Sequence, residues 1–178
     1  MIHTVGHGTL SQDDFTALVR ETGLGEIVDI RSFPGSRRNP QFGSAEMARW
    51  LPDAAVAYCW MRDLGGRRRP VPGSKHVALR NRSFQAYADY MESEEFVAGV
   101  DELLARGPGR AVMCSESVWW RCHRRLLADH LMLVRGVEVV HLMHDGRRSP
   151  HRPTDGVRAV GTTLIYDVGG DPHLDEKE

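Results

Sequence analysis

Within eleven residues of this chain, Cys114-Ser115-Glu116 is followed by Cys122-His123-Arg124, with five residues between Glu116 and Cys122. The cluster offers two thiols, a carboxyl, an imidazole and a guanidinium. A thiol close to a helix N-terminus and to arginines loses its proton readily and becomes a nucleophile. The same helix start, with its free amides, suits an oxyanion. A cysteine phosphatase would need Cys-x5-Arg so that the arginine folds over the phosphate, but Cys114 to Arg121 is Cys-x6-Arg. That enzyme class is disfavoured, whereas anion binding needs only amides and positive charge and survives. Metal binding is the alternative chemistry. Cys114, Glu116, Cys122 and His123, with His7 as a further donor, are ligand types for zinc or iron. Against it, no C-x2-C pair is present, and neighbours on a regular helix point about 100° apart. Structural roles compete as well: Cys122 as a core thiol, His123 as partner of a loop carbonyl, and Arg124 with Glu116 as a loop-holding ion pair.

A second group lies at Asp29-Ile30-Arg31 and in the loop beyond it. Asp29 or Glu116 is a candidate general base, Arg31 a clamp on a charged group, and His7 or His123 a proton-transfer group. The expected catalytic set is therefore Cys114, Glu116, Asp29, His7 and His123. The expected ligand-binding set is Arg31, Ser36, Arg37, Gly65, Gly66, Arg121 and Arg124. A strand-terminal Asp29 paired internally with Arg31 is the structural alternative.

The elements that must position these residues are legible as alternating short apolar runs and helical patterns. Strands are expected at Ile2–Val5, Glu26–Ile30, Ala55–Met61, Arg110–Cys114 and Val137–Met143. Helices are expected from Ser11 to Thr22, from Ser44 to near Pro52, and over Ser83–Met91, Ser93–Arg106 and Arg121–Arg135. Ser11 and Ser93 read as N-caps. The alternation predicts an α/β fold: one domain over 1–168, a mostly parallel five-stranded sheet, and helices on both faces. Thr162–Val168 is a possible extra C-terminal edge strand, and 169–178 reads as a disordered acidic tail. In such sheets ligands bind beyond the carboxyl ends of the strands. Every residue of the two candidate sets falls at a strand end, in a loop or at a helix start on that edge. The Pro/Gly/Arg-rich loops 31–43 and 62–82 lie there too, and loops of that length are commonly functional.

The charge layout points the same way. The net charge of −1 comes from 24 acids and 23 bases, but by segment it is −4 over 1–30, +8 over 31–82, −6 over 83–105, +5 over 106–158 and −4 over 159–178. All but two of the bases are arginine, the residue suited to bidentate contact with phosphate or carboxylate. Both basic blocks contribute loops to the strand ends. No apolar run reaches the roughly 20 residues of a membrane span, and MIHTVGHG is not a signal peptide. Three cysteines, Cys59, Cys114 and Cys122, match no disulfide scaffold. These features predict a cytoplasmic protein with reduced thiols and no membrane partner.

Four motifs occur in order between His3 and His141: Gly6-His7-Gly8-Thr9; Asp29-Ile30-Arg31 with its Pro, Ser and Phe42; Tyr58 with Leu64-Gly65-Gly66; and the Cys114-Ser-Glu/Cys122-His-Arg cluster. Together they resemble the bacterial and archaeal family called domain of unknown function 488. Members commonly read Gly-His-Ser where this chain has Gly6-His7-Gly8. The resemblance implies an α/β fold and a set of positions, and carries no activity.

The reading these features support is an α/β protein, an enzyme binding a phosphate-bearing ligand such as nucleic acid or a nucleotide through its Arg-rich loops. A non-catalytic nucleic-acid-binding module and a metal-binding protein or metal-dependent enzyme using Cys114, Glu116, Cys122 and His123 are the alternatives. The sequence specifies no cofactor and no oligomeric state.

Overall fold

The computed structural model describes residues 1–35 and 37–168. The Ser36 ligand-binding expectation and the acidic 169–178 tail lie outside the described residues. Among the described residues eight strands form: β1 (Ile2–Gly6), β2 (Glu26–Asp29), β3 (Ala57–Trp60), β4 (Arg110–Cys114), β5 (Val139–Leu142), β6 (Arg148–Pro150), β7 (Val157–Val160) and β8 (Thr163–Tyr166). Five helices accompany them: α1 (Gln12–Glu21), α2 (Ser44–Trp50), α3 (Arg82–Tyr90), α4 (Glu94–Ala105) and α5 (Arg124–Leu133).

The expected α/β architecture is present. One sheet runs β3-β2-β4-β1-β5-β6, with the first five strands parallel and β6 antiparallel to β5. Ala111 and Met113 of β4 pack with Val5, Ile27 and the α1–α2 residues Phe15, Val19, Met47 and Trp50. Val112, between them, faces the opposite layer with Val28, Ile30 and the α3–α5 residues Tyr87, Phe96, Val100 and Leu127. Alternate side chains of one strand thus supply two cores, which is why Ile27-Val28 and Ala111-Val112-Met113 are apolar in succession. Ser11 caps α1 by accepting from the Asp14 amide, and Ser93 caps α4 by accepting from the Phe96 amide, both as the sequence suggests.

The sheet gains a sixth strand at the position where the chain turns back after β5. Its three residues, with Arg148 exposed and Pro150 lacking an amide, make a blunt edge. Thr163–Tyr166 does form a strand, but it pairs with β7 in a separate hairpin. That hairpin inserts Leu164 and Tyr166 into the α3–α5 core.

The connection leaving β1 passes through α1 on one face, and that leaving β4 passes through α5 on the other. β1 and β4 are adjacent, with Gly6 opposite Cys114. Connections diverging from neighbouring strands open a crevice at their carboxyl ends. The start of α5 differs from its sequence-predicted position. Trp119–Arg121 forms a 3-10 turn, Cys122 is extended, and α5 begins only at Arg124. Three residues are most of a helical turn, so this shift redirects Arg121, Cys122 and His123.

Candidate active site

A cavity of about 560 Å³ occupies that crevice. His7 and Gly8 follow β1, Arg31 to Phe33 follow β2, and Cys114 to Glu116 follow β4. Gly66 and Arg67, the α3 residues Ser83 and Phe84, and Arg121 to His123 complete the wall. Glycines permit the close approach. A Cβ on Gly6 would lie 1.7 Å from the Glu116 carbonyl oxygen, where the loop after β4 crosses β1. A Cβ on Gly66 would lie 2.5 Å from the His123 ring, so Gly66 lets that loop rest against the imidazole.

On the β2 side the Arg31 guanidinium is fixed from every direction. Its Nε donates to Asp29 Oδ1 at 2.9 Å, and its Nη2 to Asp29 Oδ2 at 2.5 Å and to the Phe42 carbonyl at 2.7 Å. Nη1 donates to His7 Nε2 at 3.2 Å. Burial opposes the Arg31 charge, but the Asp29 carboxylate more than offsets it and holds the guanidinium pKa above its ordinary value. Asp29 is fully buried and also accepts from Tyr58 Oη at 2.8 Å. Burial, then the Asp29 carboxylate, pushes the Tyr58 phenol up. His7 donates through Nδ1 to the Gly8 carbonyl at 2.9 Å and stacks on Phe42 at 4.3 Å. Burial lowers its pKa to about 4, with Arg31 contributing in the same direction against the Gly8 carbonyl. His7 is therefore a neutral Nδ1–H tautomer whose free lone pair is taken by Arg31.

The thiol side is arranged differently. Cys114 ends β4, and its Sγ lies 3.8 Å from His123 Nδ1. The Cys122 Sγ lies 3.5 Å from the same nitrogen and accepts from the Arg124 amide at 3.5 Å. Cys122 thereby takes the place of a side-chain N-cap for α5. Burial would raise the Cys122 thiol, but the Cys114 thiol and the charge and amide of Arg124 bring it down to about 6. Cys114, hydrogen-bonded to Cys122 and buried, is pushed up to about 12. The two thiols titrate as a coupled pair, and the sulfur at the helix start is the one whose deprotonation its surroundings favour. The His123 ring meets Tyr87 edge-on at 5.0 Å, and its buried Nε2 has no partner among the described residues.

The structure brings His7, Arg31, Gly66, Cys114, Glu116, Arg121 and His123 of the two sequence-predicted sets to one cavity. It places others elsewhere. Asp29 sits behind Arg31, its carboxylate occupied. Gly65 is buried against Ser32, and Arg37 is exposed away from the cavity. Arg124 is 1% exposed and points inward, donating to Thr4 Oγ1 at 3.4 Å and to the Glu116 carbonyl. The later start of α5 accounts for that direction. The same shift removes the objection that Cys122 and His123 diverge on a helix, because neither lies in one. Glu116 uses its carbonyl to tie the loop to Arg124, while its side chain stays exposed on the cavity wall.

Sequence reasoning missed Arg67, Ser32, Phe33 and Phe84. Arg67, in the Arg67-Arg68-Arg69 run, carried a usable signal; the others had none beyond their loops. The Arg67 amide donates to Ser32 Oγ at 3.0 Å, and its guanidinium lies over the Phe33 ring, 5.8 Å from the centroid. Trp119 stacks on His141 at 4.1 Å, which makes it a packing residue.

Among the described residues no helix is long and apolar enough to cross a membrane. No curated protein and no solved structure matches the chain. The family model described as Domain of unknown function DUF488 matches residues 11–131, from the α1 cap through most of α5. The matched span includes Asp29, Arg31, Gly66 and the whole Cys114-to-Arg124 cluster, and this chain belongs to that family.

Proposed function

We propose that the cavity binds a phosphate-bearing ligand, a nucleotide or a short stretch of single-stranded nucleic acid, and that the protein acts on it as an enzyme. One observation carries the reading. Arg67 from the first basic block and Arg121 from the second, far apart in sequence, line the same cavity and are both exposed. Neither has an ion-pair partner among the described residues. Two solvated guanidiniums facing one recess favour an anion with several oxygens. Arg31, on the floor, is neutralised by its buried pair with Asp29 and fixes the base of the recess. Phe33 and Phe84 on the wall offer faces on which a base stacks, and the volume suits one nucleotide. Glu116 is the candidate general base or acid, being the carboxyl that faces the ligand space. Asp29 and His7 position Arg31.

The test is binding of a fluorescein-labelled single-stranded oligonucleotide across a salt series. Affinity falls steeply with salt, and Arg67→Ala and Arg121→Ala each lower the log–log slope by about 0.7. Binding that is absent, or indifferent to salt, overturns the reading.

A further inference from the structure

The Cys114, Cys122 and His123 side chains form a group whose ligand atoms all lie within 4.8 Å of one another. Both sulfurs are buried, and the His123 Nδ1 faces both of them. A tetrahedral zinc with Zn–S of about 2.3 Å and Zn–N of about 2.0–2.1 Å requires a sulfur-to-nitrogen edge of about 3.5 Å. The two edges here are 3.8 and 3.5 Å. The sulfur-to-sulfur edge is within 4.8 Å, against about 3.8 Å in the same tetrahedron, so binding a cation draws the two thiols toward each other by up to about an ångström.

The surroundings suit such a centre. His123 is held between Gly66, where a Cβ would collide with the ring, and the edge of Tyr87. The Arg124 amide already donates to Cys122 Sγ, as amides do to metal-bound thiolates. Two thiolates balance a divalent charge in a buried place. All three residues also line the cavity, so the fourth tetrahedral position opens onto the ligand space. Three protein ligands with one open position is the pattern of catalytic zinc, and closed structural sites use four.

We propose that Cys114, Cys122 and His123 bind a soft divalent transition metal, zinc by preference, with its fourth position facing the cavity. Glu116 is not a ligand: its carboxyl is exposed and lies outside the group. This narrows the four-residue alternative drawn from the sequence to a three-residue open centre. It stands independently of the phosphate reading, since no arginine side chain is a ligand.

The test uses the full chain, reduced and stripped of metal, titrated with cobalt(II). One cobalt binds per chain, with an intense thiolate-to-cobalt charge-transfer band and tetrahedral visible bands, and one equivalent of zinc abolishes the spectrum. Cys122→Ser and Cys114→Ser each lose stoichiometric binding, while Cys59→Ser on β3 keeps it. Should the serine variants misfold by circular dichroism, His123→Cys decides: it binds cobalt with a stronger charge-transfer band, as three thiolates require. Arg67→Ala and Arg121→Ala leave the titration unchanged even where they weaken oligonucleotide binding. A reduced wild-type chain with no charge-transfer band, or a spectrum that survives Cys122→Ser in a folded variant, overturns the proposal.

Discussion

Arg124 and Asp129 are buried on the same helix, five residues apart, and are joined through the side chains of Thr4, His141 and His151. Arg124 donates to Thr4 Oγ1 at 3.4 Å, and Thr4 lies 2.7 Å from His141 Nδ1. His141 Nε2 is 2.9 Å from His151 Nδ1, and His151 Nε2 is 2.8 Å from Asp129 Oδ1. The guanidinium can only donate to Thr4, and the Asp129 carboxylate can only accept from His151. Burial, reinforced by His151 and Arg124, lowers the His141 pKa to about 2 and keeps this ring neutral. The result is a buried guanidinium and a buried carboxylate linked by a hydrogen-bonded relay through β1, β5 and the residue after β6. Its Arg124 end also holds the Glu116 carbonyl, so the relay fixes the loop bearing the candidate base.

Removing the acceptor end should be costly. Asp129 also accepts from the Thr154 amide at 2.9 Å and from Tyr166 Oη at 3.0 Å. Asp129→Ala leaves Arg124 buried without its counter-charge and three donors without an acceptor, and we expect a loss of about 3–5 kcal/mol. Urea unfolding of the variant against wild type measures it; a loss below about 1 kcal/mol would show the relay to be dispensable.

Acid should unfold the protein through its buried histidines. Burial lowers His7 and His130 to about 4, and Arg135 adds to the effect at His130 against Asp101. In the unfolded chain both titrate near 6.5. Between pH 6.5 and 4 the unfolded state therefore binds more protons, and stability drops as pH falls. Each ring contributes about 1.4 kcal/mol per pH unit at most. The contribution is complete above pH 6.5 and spent by pH 4. His130 packs edge-on against Phe96 at 5.1 Å, with Nε2 unpartnered among the described residues, so His130→Met keeps the packing and removes one titration. Urea midpoints from pH 7 to pH 4.5 should fall less steeply in that variant, and an equal fall in both would refute the assignment.

The fold was legible because both hydrophobic periods were intact and Ser11 and Ser93 announced two helix starts. The meeting of the two basic blocks followed from strand alternation alone, since parallel strands put all their C-terminal loops on one edge. What escaped was orientation. Arg121 and Arg124 look equivalent in a list of arginines, yet a 3-10 turn ending at Arg121 leaves the first exposed and the second buried. Asp29 looked reactive, and its saturation by Arg31 and Tyr58 depends on a partner 29 residues away. The Thr4–His141–His151–Asp129 chain draws on three elements and the loop after β6, and no local spacing encodes such an encounter.

Glu116 provides a prediction of opposite sign to the arginines. Its carboxyl lies on the cavity wall with Arg121 and Arg67, where it repels the phosphates of a ligand. Glu116→Gln should tighten oligonucleotide binding by a few-fold at low salt, an effect of about 0.5–1 kcal/mol that higher salt screens. Turnover of a phosphate-bearing substrate should nonetheless be lost. Thermal unfolding should be unmoved, because the side chain is exposed. Weakened binding in this variant would mean that the carboxyl holds the ligand directly.

Two glycines on the cavity wall separate crowding from ordinary backbone effects. A Cβ on Gly35 meets nothing within 4 Å, whereas one on Gly66 would lie 2.5 Å from His123 Cγ and Nδ1. Neither glycine has the positive φ that would strain any other residue, so the difference lies in the neighbour. Gly66→Ala must displace the His123 ring from the two sulfurs, because the loop is fixed by the Arg68 Nε bond to the Gly65 carbonyl at 3.0 Å and by Ser32. The cobalt(II) affinity of Gly66→Ala should then fall by at least ten-fold with a weakened visible spectrum, the effect typical of losing support around a ligand. Gly35→Ala should match wild type in both readouts. Equal spectra for the two variants would mean that His123 is free to swing, and that Gly66 is not what holds the imidazole against the thiols.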